Sequence, residues 1–277
     1  MTERTLSVDV RETCSHLESS GLVAAVEWFA ELDSTNDYAL RRGREPALAL
    51  PRLIWADRQT AGRGRGAHRW WAERGALTFS LIWAPSEHPL PHHWPHRFPQ
   101  LSLVAALAMA YTLEAYVEPA RIRLKWPNDV WLDGRKVCGL LLESLAEIPG
   151  RVVIGVGCNV AVSLAQAPAD IRQQAIALAE IVHPCPSPAT VLTEWCVHWQ
   201  QLSRAWWAET LALPACWRPW CALHGHHIRV QQGNKVYEGR CLGLDPQGGL
   251  RLLIGAHEQI FWAGETQLVR PSAPDAG

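Results

Sequence analysis

The segment from Lys125 to Ser144, KWPNDVWLDGRKVCGLLLES, constrains the fold of this chain more than any other stretch. Two apolar runs flank the polar turn DGRK at 133–136, and short apolar runs joined by Asp-Gly are typical of a β-hairpin. A hairpin can bring Lys125 and Lys136 towards one pocket, and two inward lysines favour an anionic ligand or transition state. An exposed hairpin with ordinary surface lysines explains the same pattern, because charged hairpin tips are common.

The chain has 277 residues, enough for one large domain or for a catalytic domain with a small second one. The formal net charge of −1 does not favour a nucleic-acid or membrane surface. The longest apolar stretch, at about 101–117, is interrupted by polar residues, so we expect a buried helix rather than a membrane span. Eight cysteines form no CxxC pair and no signal peptide precedes them, which predicts a cytoplasmic protein without a disulfide framework.

Three consecutive residues, Ser34, Thr35 and Asn36, follow a strand-like run at 23–29 and precede an apolar-periodic segment. All three are residue types that cap helix N-termini, so the pattern predicts a helix start here. A helix N-cap alone would explain the Ser-Thr-Asn sequence. The same hydroxyls, amide and free N–H groups would also suit a small polar ligand.

A glycine- and arginine-rich loop, DRQTAGRGRGAHRW at 57–70, follows the predicted strand 53–56. Its glycines let the backbone approach a ligand closely, and its arginines can bind phosphate or carboxylate. The phosphate-loop pattern GxxxxGK[ST] is absent. A flexible solvated loop remains an alternative, and so does binding of single-stranded nucleic acid by an RG-rich segment.

The rest of the chain alternates helix-like and strand-like patterns before a run of short strands. We predict helices at 8–20, 100–116 and 190–211 and strands at 76–84, 121–126 and 151–160. After a proline-containing linker at 213–220, short strands predict a small β-barrel; they lie at 227–231, 235–244, 250–254, 259–262 and 267–269. Three histidines, His92, His93 and His96, resemble a metal cluster but have no carboxylate or cysteine within four residues along the chain. Most of the 15 tryptophans are expected to serve packing.

Four sequence blocks occur together and in a characteristic order: DSTN at 33–36, DRQTAGRGR at 57–65 with Trp70, KWPND to GRKVCGLLLE at 125–143, and GVGCN at 155–159. In these blocks the chain resembles the biotin protein ligases, also called biotin–[acetyl-CoA-carboxylase] ligases. The resemblance covers roughly residues 25 to 270, and KWPND with its GRK continuation is its most specific part.

The resemblance implies an α+β fold: a mixed β-sheet flanked by helices, related to class II aminoacyl-tRNA synthetases, with a small C-terminal SH3-like β-barrel. The implied domains are an N-terminal helical extension at 1–24, a catalytic biotin- and ATP-binding domain at 25–212 and the barrel at 222–270. The short N-terminus lacks the winged helix of repressor members, so we expect a monofunctional ligase that binds no DNA.

The resemblance also implies a two-step reaction with biotin, ATP and Mg²⁺. Biotin's carboxylate attacks the α-phosphate of MgATP, giving biotinyl-5′-AMP and pyrophosphate. A lysine amine of a biotin carboxyl carrier protein then attacks the mixed anhydride and releases AMP. Some members dimerise through the central sheet, so a homodimer is a further expectation.

Site roles follow from the resemblance, position by position. The matched catalytic residues are Lys136, Lys125, Arg65 and Asp129. The matched biotin-contacting residues are Ser34, Thr35, Asn36, Gln59, Arg63, Gly64, Arg65, Lys136 and Gly139. The matched ATP- or adenylate-contacting residues are Arg63, Arg65, Trp70, Lys125, Asn128 and Asn159, and Asp129 is a candidate for Mg²⁺ or for orienting the incoming lysine.

The loop departs from the family pattern GRGRRGR-x-W, because Gly66-Ala67-His68-Arg69 stands where RGR-x is usual. One arginine is lost, so retention of the adenylate is expected to differ. Two alternatives stay open: a lipoate–protein ligase-like acyltransferase, and a biotin-binding or RNA-binding module with weakened or lost activity. The KWPND–GRK block argues against the first, and the presence of both lysines argues against the second.

Overall fold

The computed structural model describes residues 8–66, 68–85 and 97–269. The three histidines considered as a metal cluster and the last eight residues lie outside these ranges. The helices are α1 Val8–Ser19, α2 Thr35–Arg42, α3 Gln100–Leu113, α4 Ala169–Gln174, α5 Pro188–Trp207 and α6 Leu213–Trp217. The strands are β1 Ala25–Phe29, β2 Arg52–Ala56, β3 Ala76–Trp83, β4 Ile122–Lys125, β5 Asp129–Leu132, β6 Arg135–Ser144, β7 Val152–Asn159, β8 His227–Gln232, β9 Lys235–Leu244, β10 Leu250–Ile254, β11 His257–Phe261 and β12 Glu265–Leu268.

Seven strands form the main sheet in the order β1-β2-β3-β7-β6-β5-β4. Strands β1 and β2 pair in parallel, and every other neighbouring pair is antiparallel. The sheet is therefore mixed, and helices pack against it, which confirms the predicted α+β class. Strands β3 and β7 lie at its centre and are buried along their whole length. This explains why their sequences read as nearly continuous apolar runs instead of alternating ones.

The segment 125–144 forms the predicted Asp-Gly hairpin. Asp133 and Gly134 both have positive φ angles, 50° and 75°, as a two-residue type I′ turn requires between β5 and β6. One further strand belongs to this unit, because β4 pairs with β5 so that Lys125 stands opposite Asp129. The three-stranded arrangement brings both lysines of the segment to one end of the sheet.

Tryptophans fill the space between the sheet and helix α5. Trp195 is fully buried, stacks on Trp199 with a ring separation of 5.6 Å, and meets Phe79 of β3 edge-on at 4.8 Å. Its indole N–H donates to the carbonyl of Ala105 in α3 at 3.2 Å. The packing role expected for most tryptophans fits this cluster, which joins α3, α5 and β3.

A second, antiparallel sheet of five strands follows the order β11-β10-β9-β8-β12. It agrees with the barrel-like region predicted from short strands. The segment predicted as a linker, 213–220, contains α6 and buries Trp217 and Trp220 in the main core. Trp126, just after β4, bonds to the region of the second sheet: Thr266 Oγ1 donates to its carbonyl at 2.9 Å, and its indole N–H donates to the carbonyl of Gly248 at 3.2 Å. Among the described residues, no helix has the length and apolar character needed to cross a bilayer.

Trp195→Ala should lower the free energy of unfolding by about 3–5 kcal/mol, because it removes a fully buried indole and leaves a cavity. Val197→Ala is the matched control on the same helix: Val197 is 37% exposed, and the expected change is within about 0.5 kcal/mol. Urea denaturation of the two variants measures the difference. Equal losses for both would contradict the packing described for α5.

Candidate functional site

A cavity of about 410 Å³ lies at the N-terminus of α2, over strands β6 and β7. The glycine- and arginine-rich loop covers one side, and residues 264–267 of the second sheet close another. All four sequence blocks contribute to its walls. The predicted site residues that line it are Ser34, Thr35, Asn36, Gln59, Arg63, Gly64, Arg65, Trp70, Lys125, Asn128, Asp129, Lys136 and Gly139.

The start of α2 forms the polar end of this cavity. Ser34 is the N-cap, and its hydroxyl accepts a hydrogen bond from the N–H of Asp37 at 3.3 Å. The N–H of Thr35 donates to Oε1 of Gln59 at 2.7 Å. That bond orients the Gln59 amide, so its NH₂ group remains as a donor for a ligand.

Asn36 is 4% exposed and lies across three neighbouring strands. Its Oδ1 accepts from the Ser80 hydroxyl of β3 at 2.6 Å, and its Nδ2 donates to the Leu141 carbonyl of β6 at 3.3 Å. The same Nδ2 donates to Glu143 at 2.8 Å. Between β3 and β6 lies Gly155, where a Cβ atom would overlap the Asn36 amide. Asn36 therefore fits only because β7 has no side chain at this position.

The Trp70 indole rests on Gly157 of β7, where a Cβ atom would overlap the ring. A Cβ on Gly139 would lie 2.8 Å from Cε of Lys136 and 3.3 Å from the Trp70 ring. The indole nitrogen of Trp70 is buried and has no hydrogen-bond partner among the described residues. Trp70 also lines a second, adjoining cavity of about 730 Å³. The ring thus lies between two cavities.

Two lysines, Lys125 and Lys136, line the main cavity beside two carboxylates, Asp129 and Glu265. Lys136 Nζ lies 2.7 Å from Asp129 Oδ1, and Lys125 Nζ lies 4.8 Å from the centre of the Trp131 ring. Burial lowers the pKa of Lys125 below the ordinary lysine value. The Asp129 and Glu265 carboxylates oppose that shift, while the Lys136 charge adds to it. A bound anion would relieve the cost of holding these cations close together.

The loop over the cavity is held at two places. At its base, Arg63 Nη2 lies 2.8 Å from Asp37 Oδ1 and 2.7 Å from Glu143 Oε2. Near its tip, Arg65 Nη1 donates to the Gly264 carbonyl at 2.8 Å, and His68 Nε2 lies 3.2 Å from Glu265 Oε1. The tip therefore contacts the second sheet. Ala67, between the two tip contacts, is outside the described residues.

Asn128 and Asn159 were both matched to nucleotide contacts but lie in different places. Asn128 lines the main cavity, and its Nδ2 donates to the Leu140 carbonyl at 2.6 Å. Asn159 lies on the second cavity, together with residues of α4, and its Nδ2 donates to the Ile176 carbonyl at 3.3 Å. A nucleotide that contacts both would have to reach past Trp70, which lines both cavities.

The described residues contain no cluster of three histidine, cysteine or acidic side chains that could hold a metal ion. Asp129, the candidate ligand, is already paired with Lys136. Mg²⁺ commonly binds through one or two carboxylates and substrate phosphates, so here it would enter with the nucleotide as part of the substrate.

Several residues at the site were missed by the sequence reasoning. Ser80 and Glu143 hold Asn36 from behind, and Gly264 to Gln267 close the cavity from the second sheet. Glu143 ends the GRKVCGLLLE block that carried the resemblance, but the sequence analysis gave it no role at the site. The barrel residues carried none, because their place at the site arises from tertiary contacts.

Comparisons with known proteins agree with the geometry. The sequence model of the biotin/lipoate A/B protein ligase family matches residues 28–159. The bifunctional ligase/repressor BirA of Bacillus subtilis is 31% identical over 222 residues, covering 78% of this chain and 66% of that protein. The biotin–[acetyl-CoA-carboxylase] ligase of Mycobacterium tuberculosis is 29% identical over 245 residues, covering 87% and 88%.

Among solved structures, the biotin protein ligase from Aquifex aeolicus in complex with biotin and ATP superposes with a TM-score of 0.73. It is 26% identical, and the match covers 88% of this chain and 98% of that one. The chain spans 53% to 66% of the length of the first three curated relatives it matches.

Gly157→Ala should lower the free energy of unfolding by about 1–3 kcal/mol, because the new methyl group would overlap the Trp70 ring. The cost should fall by about half or more in a Trp70→Ala background, where the ring is absent. A double-mutant cycle by thermal or urea unfolding measures this. An equal cost in both backgrounds would show that Trp70 does not lie on Gly157.

Proposed function

The chain belongs to the biotin/lipoate A/B protein ligase family, and on that premise we propose that it is an ATP-dependent biotin protein ligase. It activates biotin as biotinyl-5′-AMP and transfers the biotinyl group to one lysine of a biotin carboxyl carrier protein. One observation carries the proposal: four sequence blocks, spread over residues 33–159, converge on a single cavity.

The cavity matches the two ends of biotin. The ureido head needs both donors and acceptors, and the Ser34 hydroxyl, the Gln59 amide and Asn36 Oδ1 offer both. The carboxylate needs positive charge, which Lys136 and Lys125 supply. Because Asn36 already uses both N–H groups on protein acceptors, its contribution to biotin is limited to the remaining lone pair of Oδ1.

Adenylation joins two anions, so the first step needs cations at the reacting atoms. A carboxylate oxygen of biotin attacks the α-phosphorus of MgATP, the bond to the β-phosphate oxygen breaks, and pyrophosphate leaves. Lys136 stabilises the carboxylate and the acyl phosphate, and Lys125 stabilises the charge that develops on the phosphate oxygens. Arg65 holds the loop closed and excludes water from the anhydride.

Transfer requires a neutral acceptor amine next to the acyl carbon. The amine nitrogen forms the amide bond, the acyl–phosphate C–O bond breaks, AMP leaves and the amine loses a proton. We assign Asp129 to orient the incoming lysine, because its Oδ1 already holds a lysine ammonium, that of Lys136, at 2.7 Å. A carboxylate so placed can also accept the released proton.

A lipoate–protein ligase is the second candidate, because the matched family includes both biotin and lipoate ligases. The donors and acceptors at the α2 end favour biotin, since the dithiolane ring of lipoate offers no ureido group for them to bind. Pyrophosphate release with lipoate in place of biotin distinguishes the two. The acceptor's parent enzyme is proposed only as a biotin-dependent carboxylase, and a homodimer formed through an edge of the main sheet stays a prediction.

The direct test incubates the protein with ATP, Mg²⁺, biotin and a biotin carboxyl carrier fragment. Intact-mass spectrometry should find the mass of one biotinyl group added, and peptide mapping should locate it on one lysine. Omitting ATP is the control. No biotin-dependent release of pyrophosphate and no added mass would overturn the proposal.

Lys136→Ala should lower the rate of biotinyl-adenylate formation by about 100-fold or more, because the reacting carboxylate loses its cation. Lys235→Ala is the matched control: Lys235 is an exposed lysine on β9, and its loss should leave the rate unchanged. Biotin-dependent pyrophosphate release measures both variants. Wild-type activity in Lys136→Ala would show that the role assigned to this lysine is wrong.

The rate of adenylation should fall as the pH rises through the lowered pKa of Lys125. A lysine loses its charge above its pKa, and burial lowers the pKa of this lysine, so the decline should begin below the ordinary lysine range. Lys125→Arg should shift the decline upward, because arginine stays charged to about pH 12. Profiles of kcat/KM for ATP against pH test this, and identical alkaline limbs would count against a charged Lys125 in the first step.

A further inference from the structure

We propose that Glu143 is a positioning residue that holds Asn36 and Arg63 at the head-group end of the cavity, and so determines affinity for biotin. The inference rests on the proposed function, because it takes this end of the cavity as the site of biotin's ureido ring. Glu143 lies on β6 and is not among the residues that line the cavity. It acts through two neighbours that do line it.

Glu143 and the Leu141 carbonyl together determine which way the Asn36 amide faces, and Glu143 makes the shorter contact. An ionised carboxylate only accepts hydrogen bonds, so the NH₂ group of Asn36 must point to Glu143, where Nδ2 lies 2.8 Å from Oε2. Oδ1 of Asn36 then faces Ser80, whose hydroxyl donates to it at 2.6 Å. Without the carboxylate, only the longer bond of 3.3 Å to the Leu141 carbonyl would hold the NH₂ group, so the amide could more easily rotate by half a turn and present N–H groups where the cavity now presents an acceptor.

The direction of the hydrogen bond at Ser80 also affects the hydrogen bonds of the neighbouring residues Thr35 and Gln59. Ser80 has one hydroxyl proton, and it is used on Asn36. The contact of 2.8 Å between the Ser80 and Thr35 hydroxyls therefore needs the proton of Thr35. Thr35 Oγ1 also lies 3.1 Å from Gln59 Oε1, so the alternatives for its proton are Ser80 and Gln59. The Glu143 carboxylate thus favours one arrangement of donors and acceptors at Asn36 and Ser80, while the Thr35 proton has two possible acceptors.

Glu143 also fixes the base of the loop. Arg63 Nη2 lies 2.7 Å from Glu143 Oε2 and 2.8 Å from Asp37 Oδ1. The side chains are only partly exposed, 37% for Arg63 and 25% for Glu143. Burial lowers the pKa of Arg63, but the two carboxylates raise it more, so its net pKa lies above the ordinary arginine value. We therefore assign Arg63 to anchoring and leave charge stabilisation at the reacting atoms to Lys125 and Lys136.

Three variants separate the two contacts. Glu143→Ala removes both, and Glu143→Gln keeps an acceptor for Asn36 but loses the charge opposite Arg63. Asp37→Asn weakens the hold on Arg63 and leaves Asn36 bound to Glu143. The control is Glu147→Ala, because Glu147 is an exposed acid three residues beyond β6 whose ion pair with Arg44 lies on the surface.

The readouts are the dissociation constant of biotin by calorimetry, the KM for ATP, kcat, and the rate of tryptic cleavage after Arg63 and Arg65. Glu143→Ala should weaken biotin binding by about 10-fold or more, as expected when partly buried hydrogen bonds to a charged group are lost. KM for ATP and kcat at saturating biotin should stay within about twofold. Loop cleavage should accelerate in all three site variants but not in Glu147→Ala.

The experiments distinguish failure of the proposed function from failure of the role assigned to Glu143. If the wild-type protein neither binds biotin nor releases pyrophosphate with it, the proposed function is wrong. If the wild-type protein binds biotin and a folded Glu143→Ala variant binds it equally well, Glu143 has no positioning role. Should Glu143→Ala not fold, as judged by thermal unfolding, Glu143→Gln and Asp37→Asn decide: partial weakening in the first and faster loop cleavage in both support the inference, and wild-type values in both overturn it.

Discussion

The site depends on two glycines at the centre of the main sheet, where any larger side chain would fill the space above the strand. Gly155 and Gly157 stand on β7, which lies between β3 and β6. The Asn36 amide occupies the space above the first glycine, and the Trp70 ring occupies the space above the second. Any Cβ there would have to displace a buried group, so the glycines are required for close approach rather than for an unusual backbone angle. The head-group end and the wall between the cavities both follow from this strand.

The second constraint is the positive charge of Lys125 and Lys136 in the cavity. Neighbouring protein groups compensate for this charge only in part. Lys136 has a carboxylate partner in Asp129, whereas Lys125 has an aromatic ring and a pKa lowered mainly by burial. Holding a cation in such a place costs free energy in the ligand-free protein. An anion that binds between the lysines recovers that cost, so the same groups that destabilise the empty site favour carboxylate and phosphate. The arrangement suits a reaction between two anions.

Local patterns predicted the elements that carry local signals. The Asp-Gly turn, the N-cap at Ser34 and the glycine-bearing strand at 151–160 each have a mechanism within a few residues, and each is present. The predicted ends of long helices were less accurate. The helix predicted at 190–211 runs from Pro188 to Trp207, and it starts earlier than predicted because its N-cap is Ser187. The prolines at 213–220 suggested a linker, but tertiary packing buries two tryptophans of that segment instead.

At the candidate site, too, residues in local motifs were predicted and residues placed by tertiary contacts were not. Thirteen of the fourteen residues matched by resemblance line one cavity, and Asn159 lies on the adjoining one. The sequence did not predict the residues that contact these side chains from the next strand or from the second sheet. Ser80 lies within an apolar strand, and Gly264 to Gln267 lie about 200 positions from the loop they contact. No periodicity or local motif reports such contacts, since they depend on how the two sheets meet.

The two anchors of the loop differ in strength, and this determines where the loop opens first. The base is held by two carboxylates on a partly buried arginine, which is the stronger kind of charge-assisted contact. The tip is held by a carbonyl on Arg65 and by the pair His68–Glu265, whose side chains are 71% and 64% exposed. Exposed pairs contribute only about 0–1 kcal/mol. The tip should therefore release before the base, which lets ligands enter beside the second sheet while the head-group end stays formed. The loop carries one arginine fewer than the family pattern, and its His68 contacts Glu265, so the second sheet contributes to closure in this chain.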